Sequence, residues 1–106
     1  MIPEKIRQTI LNAKQYPYIV KIGVFGSYAR GDILENSDLD IIIDYDDSSD
    51  VFMDNMGNFM EDLELVFIGK VDYLTLPGLM KSKDDRFKNN VLREVQWVYD
   101  SKISEN

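Results

Sequence analysis

The 106-residue chain contains neither cysteine nor histidine. Their absence excludes a cysteine nucleophile, a disulfide framework, a zinc site built from cysteine and histidine, and a serine–histidine–aspartate triad. No apolar run approaches the length of a membrane span, and the first residues lack the pattern of a signal peptide. We therefore expect a protein of the reducing cytoplasm with no membrane association.

Positive charge is absent from the middle of the chain. Between Arg30 and Lys70 there is no lysine or arginine but there are twelve acidic residues, and the whole chain has a net charge of -7. This concentration of negative charge disfavours the binding of a long phosphate polymer, because nucleic-acid binding depends on many lysine and arginine contacts. The binding of a single nucleotide as its Mg²⁺ complex remains compatible with this charge. Most acids from Asp44 to Asp54 are expected to form a solvated face.

Short apolar runs predict the strands of a small sheet. The run Leu39 to Tyr45 contains three consecutive isoleucines, which places that strand inside the sheet. The pair Pro77-Gly78 is expected to form a turn. Trp97 to Tyr99 is expected to add a short strand or an exposed contact. The other predicted strands are Ile19 to Phe25 and Lys70 to Leu76.

Apolar residues at helical spacing predict three helices around this sheet. The first begins at Pro3 and is stopped by Pro17, and the second follows a polar loop at 46–50 and ends near Gly69. The fold class expected is α/β (α+β), a mixed sheet of three to four strands flanked by helices, in a single domain over residues 1–106. The second helix has a core-facing stripe of Phe52, Met56, Phe59, Met60, Leu63, Val66 and Phe67, and the last contains Phe87, Val91, Leu92 and Val95.

The first residues of the candidate site are predicted to lie where the first strand ends. Gly26-Ser27 is followed, after ten residues, by Asp38-Leu39-Asp40-Ile41. Residues two apart on a strand point to the same face, so the carboxylates of Asp38 and Asp40 would repel each other unless a divalent cation lay between them. Oxygen ligands suit Mg²⁺, which usually also binds substrate phosphates. Asp72, from the third strand, would complete a site for two ions and help to deprotonate or orient an attacking hydroxyl.

The glycine–serine pair is the candidate phosphate-binding turn. Gly26 lets a phosphate approach the backbone closely, and Ser27 offers a hydroxyl and the first N–H groups of a helical turn. Arg30, three residues further on, is a planar and permanently charged donor that would reach the same phosphates, and Gly31 is expected to close the turn.

Simpler interpretations stand beside these assignments. A glycine–serine pair at the end of a strand is most often only a turn. Asp38 alone is compatible with a capping role, and Asp40 alone with a solvated edge position. Arg30 would also be explained by an ion pair with Asp32 or Glu35. The combination with Asp72 favours the metal site, because an unpaired carboxylate inside a sheet is costly.

Together these motifs resemble the signature of the DNA polymerase beta type nucleotidyltransferase superfamily, most closely that of the minimal nucleotidyltransferase (MNT) domains. Asp72 stands where the superfamily places its third carboxylate. The resemblance extends from the first helix to about Tyr99. The MNT pattern Gly-Ser-x-Ala-Arg-Gly followed by Ser-Asp-x-Asp is matched by Gly26, Ser27, Ala29, Arg30, Gly31, Ser37, Asp38 and Asp40.

The resemblance implies a polymerase-beta-like palm, ATP with two Mg²⁺ ions, and a role as antitoxin. The implied partner is a HEPN-domain ribonuclease toxin, which such enzymes silence by transferring AMP onto a tyrosine, so a hetero-oligomer is expected. Asp38 and Asp40 would bind both ions and Asp72 the catalytic one. Ser27 and Arg30 would hold the β and γ phosphates.

Two other functions are compatible with the sequence. One is a non-catalytic antitoxin that blocks its toxin by complex formation, and the other is a small-molecule nucleotidyltransferase of the antibiotic-modifying type. The short chain lacks a second domain, so part of the acceptor site is expected to come from a partner protein. Trp97, Tyr99 and Met53 lie off the core stripes and are candidates either for that partner surface or for ordinary packing.

Overall fold

The computed structural model describes residues 2–46 and 51–102 and contains a four-stranded sheet covered by helices. This architecture confirms the predicted mixed α/β class. The strands are β1 (Ile19–Phe25), β2 (Leu39–Tyr45), β3 (Val71–Thr75) and β4 (Gln96–Asp100), and the helices are α1 (Glu4–Leu11), α2 (Ser27–Arg30), α3 (Val51–Val66), α4 (Leu76–Met80) and α5 (Asp85–Glu94).

The strand order is β3-β2-β1-β4, so β1 and β2 are the inner strands. β1 is antiparallel to both β2 and β4, whereas β2 and β3 are parallel. A parallel pair needs a long crossover, which α3 provides between β2 and β3. The prediction that the isoleucine-rich strand lies inside the sheet is thereby confirmed.

The two faces of the sheet are buried against different helices. Ile41 and Ile43 of β2 belong to a large core with α1 and α3, whereas Ile42 belongs to a smaller core with Leu79 of α4 and Val91 of α5. Successive side chains on a strand alternate between faces. Position 40 therefore faces the same side as Ile42, toward α4 and α5.

The segment after β3 differs from the prediction. Pro77-Gly78 does not form a simple turn but lies within α4. The Thr75 hydroxyl accepts a hydrogen bond from the Gly78 N–H at 3.2 Å and caps this helix. A proline is tolerated in the first turn of a helix, where its missing N–H costs nothing, and Leu79 is buried beneath it.

The predicted helix bounds and the predicted core-facing stripe of α3 also differ slightly from the structure. Pro3 is the residue before α1 rather than its first residue, and a 3₁₀ turn at Asn12–Gln15 separates α1 from Pro17. Val66 is 38% exposed at the last position of α3, so its place on the core stripe was predicted wrongly. The loop at 47–50 and the Phe52 side chain lie outside the described residues.

The three candidates for a partner surface have different environments. Trp97 to Tyr99 lies within β4, as one of the two alternatives predicted, and Tyr99 is buried in the core. Tyr99 therefore has an ordinary packing role. Trp97 is partly buried, with the Lys21 ammonium 4.1 Å from its ring centroid, while Met53 is 63% exposed. Across residues 2–46 and 51–102, no helix has the length and apolar character needed to cross a membrane.

Candidate active site

The structure brings the three predicted aspartates to one side of the sheet. Asp38 directly precedes β2, Asp40 is the second residue of that strand, and Asp72 is the second residue of β3. Asp40 and Asp72 are register partners in the parallel pair. Neighbouring residues in register share a face, so both side chains point toward α5.

A cavity of about 680 Å³ lies at this end of the sheet. The helix α5 contributes one wall, using positions three, four and seven residues apart, which form one helical face. Those positions are Phe87, Asn90, Val91 and Glu94, and all six residues predicted from the sequence line the same cavity: Gly26, Ser27, Arg30, Asp38, Asp40 and Asp72.

The carboxylate of Asp40 is the most electrostatically perturbed acid of the site. Burial, followed by the negative charges of Asp72 and Asp38, raises its pKa to about 6, while Arg30 acts in the opposite direction. A shift of this sign means that the charged form is disfavoured where it lies. A cation placed among the three carboxylates would relieve that cost.

Asp72 lies on an edge strand and is accessible to solvent. Its side chain is 44% exposed, and its Oδ1 is 3.5 Å from the Lys70 ammonium. Exposed pairs of this kind contribute little to stability. The carboxylate is therefore held only loosely by the chain itself and is open to an incoming group.

The backbone of Gly26 explains why glycine occupies the start of the turn. Its φ of 72° and ψ of -152° are accessible almost only to glycine. In addition, a Cβ at this position would lie 2.1 Å from Oδ2 of Asp40. The glycine–serine turn and the Asp40 side chain are thus in direct contact.

The turn continues as a short helix. The Gly26 carbonyl accepts hydrogen bonds from the N–H groups of Ala29 and Arg30, each at 3.0 Å. Gly31 follows in the left-handed conformation with φ of 84°, as expected for a helix-terminating glycine. Ser27 is therefore the first residue of α2, and Gly31 closes the turn as predicted.

Arg30 is held by two carboxylates. Its Nε donates to Oδ2 of Asp32 at 3.0 Å, and its Nη1 donates to Oε2 of Glu94 at 3.1 Å. Asp32 first and Glu94 second raise the pKa of the Arg30 guanidinium above its usual range. The ion pair with Asp32 that the sequence left open is present, and Arg30 also lines the cavity.

Glu94 is a residue of the site that sequence reasoning missed. Its carboxylate accepts a hydrogen bond from the Gly26 N–H at 2.9 Å, although the two residues are 68 positions apart. The available signal was its spacing, since Glu94 follows Phe87 by seven residues and Val91 by three on the face of α5 that turns inward. A charged residue on such a face needs a partner.

The chemistry of the donor set bears on the metal ions that the resemblance implies. Within the described ranges 2–46 and 51–102, no group of three acidic side chains is close enough together to form a metal cage as it stands. Three aspartates nevertheless face one cavity, and mutual repulsion contributes to the raised pKa of Asp40. Hard oxygen donors with no sulfur or imidazole fit Mg²⁺.

Comparison with known proteins places this geometry in a family. Residues 4–98 match the family described as the nucleotidyltransferase domain. The chain belongs to this family. The match covers most of its length and includes every residue that lines the cavity, so the nucleotidyltransferase predicted from the sequence is confirmed at the level of the family.

Relatives of this nucleotidyltransferase are named protein adenylyltransferases. One from Methanocaldococcus jannaschii is 35% identical over 102 residues, which is 93% of this chain and 100% of the relative. The protein adenylyltransferase MntA of Thermococcus cleftensis is 37% identical over 78 residues, covering 74% of this chain and 73% of the relative. A second M. jannaschii relative is 41% identical over 59 residues, which span 55% of this chain and 59% of that relative.

Solved structures have the same fold. A toxin–antitoxin structure with AMP-PNP superposes with a TM-score of 0.63 at 20% identity, covering 94% of this chain and 76% of that one. A structure described as a minimal nucleotidyltransferase has a TM-score of 0.58 at 26% identity, with 85% and 86% covered. The nucleotidyltransferase fold predicted from the resemblance is thereby confirmed.

Proposed function

We propose that this nucleotidyltransferase is a Mg²⁺-dependent protein adenylyltransferase that transfers AMP from ATP to a tyrosine hydroxyl of a HEPN-type toxin, and so acts as a cytoplasmic antitoxin. One observation carries the proposal: the three aspartates and the glycine–serine turn line the same cavity. The names of its relatives, protein adenylyltransferases, support the same reaction.

Each residue of the cavity has a role in this proposal. Asp38, Asp40 and Asp72 are the residues that would hold two Mg²⁺ ions. When bound, such ions supply positive charge that offsets the phosphates and the leaving pyrophosphate. Ser27 at the start of α2 and Arg30 at its end would bind the β and γ phosphates.

The proposed transfer is a displacement at the α-phosphorus. The oxygen of the acceptor hydroxyl forms the new bond to phosphorus, and the bond between the α-phosphorus and the bridging oxygen of pyrophosphate breaks. The electron pair of that bond leaves with pyrophosphate. The hydroxyl proton passes to the Asp72 carboxylate, which lines the cavity and is 44% exposed.

The partner assignment rests on similarity. A solved structure with the same fold is a toxin–antitoxin assembly with AMP-PNP, which supports a toxin partner and an adenine nucleotide. A partner protein that presents its own hydroxyl would complete the site.

The proposal is tested by incubating the chain with ATP labelled at the α-phosphate, MgCl₂ and the toxin encoded beside it. We expect label on the toxin, loss of that label with EDTA, and loss in Asp38→Ala and Asp40→Ala. Asp44→Ala is the matched control, because Asp44 lies on the same strand and is absent from the cavity wall. Peptide mapping would identify the labelled residue.

Other outcomes separate the alternatives. Toxin neutralisation that persists in Asp38→Ala and Asp40→Ala, without label on the wild-type complex, would identify a non-catalytic binding module. Label that appears on a small molecule and never on a protein would identify a small-molecule nucleotidyltransferase. Either result contradicts transfer to a toxin.

A further inference from the structure

The carboxylate of Glu94 joins the two halves of the candidate phosphate pocket. Its Oε1 accepts hydrogen bonds from the Gly26 N–H at 2.9 Å and from Arg30 Nη1 at 3.3 Å. Its Oε2 accepts from the same Arg30 nitrogen at 3.1 Å. One side chain at the end of α5 thus fixes both the backbone at the start of the turn and the cation at its end.

Arg30 would otherwise be a flexible side chain. It is 48% exposed, and a long side chain of this kind loses much rotamer freedom when it is immobilised. Asp32, which is 61% exposed, binds its Nε, and Glu94 binds its Nη1 from α5. The guanidinium plane is therefore already oriented before any ligand arrives, which lowers the entropic cost of binding one.

Stability alone is a weak explanation for this arrangement. The Glu94 side chain is 22% exposed and Arg30 is about half exposed, and ion pairs at such sites add little to the free energy of folding. The contacts instead converge on the turn from Gly26 to Gly31, which contributes Gly26, Ser27 and Arg30 to the cavity wall beside the aspartates. Their placement points to ligand binding.

We propose that Glu94 is a positioning residue that holds Gly26 and Arg30 in the orientation that receives the triphosphate of a nucleotide. It acts through these two residues and is not itself a phosphate ligand. This inference rests on the proposed function. The opposing possibility is that the carboxylate occupies the place of a phosphate and competes with it, and the two ideas predict opposite changes in affinity.

The test is calorimetric titration with MgATP of the wild type, Glu94→Ala, Glu94→Gln, Arg30→Ala and the double variant. Loss of a supporting partner behind a ligand-binding group typically costs 10- to 100-fold in affinity at metal sites, so we expect Kd to rise about tenfold in Glu94→Ala. Glu94→Gln should recover part of this loss, because its amide oxygen still accepts the Gly26 N–H. In the Arg30→Ala background the same Glu94→Ala change should raise Kd by only about twofold, since neighbouring residues that act together are not additive.

The matched control is Glu61→Ala, which removes an exposed glutamate of α3 that does not line the cavity. Its Kd should equal that of the wild type. The melting temperature of every variant is measured without nucleotide, so that a loss of folding is recognised separately from a loss of binding.

Several results would overturn the inference. A lower Kd in Glu94→Ala would identify the carboxylate as a competitor of phosphate. An unchanged Kd with a lower melting temperature would identify a purely structural contact, and an equal effect with and without Arg30 would remove the coupling. Failure of the wild type to bind MgATP would instead refute the proposed function, and this inference with it, whereas wild-type binding with indifferent Glu94 variants refutes the inference alone.

Discussion

Asp40 and Asp72 lie directly opposite each other on the parallel strands β2 and β3. Both side chains face the cavity beneath α5, and the charge of Asp72 is, after burial, the largest contributor to the raised pKa of Asp40. Like charges opposed across a strand pair destabilise a sheet. The inner strand therefore carries an electrostatic cost at the point where the site is proposed.

We expect Asp40→Asn to stabilise the protein in EDTA at pH 7.5. The pKa of about 6 means that the charged carboxylate is disfavoured in the folded state, and an amide of the same shape removes that penalty. Because solvent screens this partly exposed carboxylate, the gain in the free energy of unfolding should be only about 1 kcal/mol. Urea denaturation measures it.

The effect of added Mg²⁺ on stability tests the same electrostatic interpretation. Ten millimolar MgCl₂, roughly a saturating concentration for a weak carboxylate site, should stabilise the wild type and leave Asp40→Asn unchanged. Asp44→Asn, farther along the same strand, should respond to Mg²⁺ as the wild type does. An Asp40→Asn protein that is less stable than the wild type in EDTA would contradict the electrostatic interpretation.

Gly26→Ala should disrupt both the turn and the acidic pair. The new Cβ would lie 2.1 Å from Oδ2 of Asp40, and the backbone conformation is strained for any residue except glycine. We expect a loss of about 1–3 kcal/mol in stability and the loss of detectable AMP transfer. Thermal unfolding and the labelled-ATP assay measure these two effects.

Gly57→Ala is the matched control for that change. A Cβ at position 57 meets nothing within 4 Å, and the residue lies within α3. Alanine is favoured over glycine in a helix by about 1 kcal/mol, so this variant should be slightly more stable and fully active. Equal behaviour of the two variants would show that the turn at Gly26 has no special role.

Phe87→Ala should weaken nucleotide binding without a large change in stability. Phe87 is 42% exposed although it lines the cavity, so its ring is available for an adenine base. Stacking of a base on an aromatic ring contributes about 1–3 kcal/mol, which corresponds to a rise in the Kd for ATP of about 5- to 160-fold. Calorimetric titration measures it.

Met80→Ala serves as the control for the loss of an exposed apolar side chain. Met80 is 53% exposed on α4 and does not line the cavity. Its Kd for ATP should match that of the wild type. If the Kd of Phe87→Ala also matches the wild type, the ring does not contact the base.

Tyr16→Phe should reveal a pH-dependent link between the end of the 3₁₀ turn and α3. The Tyr16 hydroxyl donates to the Asp62 carboxylate, and this hydrogen bond, ahead of burial, raises the pKa of Tyr16 to about 12. The bond requires the protonated hydroxyl. Its contribution, about 1 kcal/mol, is therefore fully present below the unfolded pKa of about 10 and is lost as the pH rises toward 12.

Urea denaturation of the wild type and Tyr16→Phe from pH 7 to 11.5 tests this sign. The stability difference should be constant up to about pH 9.5 and should shrink above it. In an Asp62→Asn background the difference should be smaller at every pH, because the charged acceptor is gone. A difference that grows with pH would contradict the assignment.

Part of the fold can be predicted from local sequence patterns. β1 and β2 have the bounds predicted from their apolar runs, because segments rich in β-branched residues favour a buried strand wherever they occur. The helix α4 could not be predicted from the sequence, because Pro77-Gly78 is typical of a turn. In the structure the pair is helical because Thr75 caps the helix and Leu79 is buried. The exposure of Val66 likewise depends on where α3 ends.

The amino-acid sequence by itself determined that Asp38 and Asp40 share a face and that Gly26-Ser27 follows a strand, because strand alternation and turn formation act over a few residues. The tertiary structure decided that Asp72 stands in register with Asp40 and that Glu94 reaches the Gly26 N–H. Strand register and the packing of α5 depend on contacts between distant segments, and these form only when the complete core assembles around them.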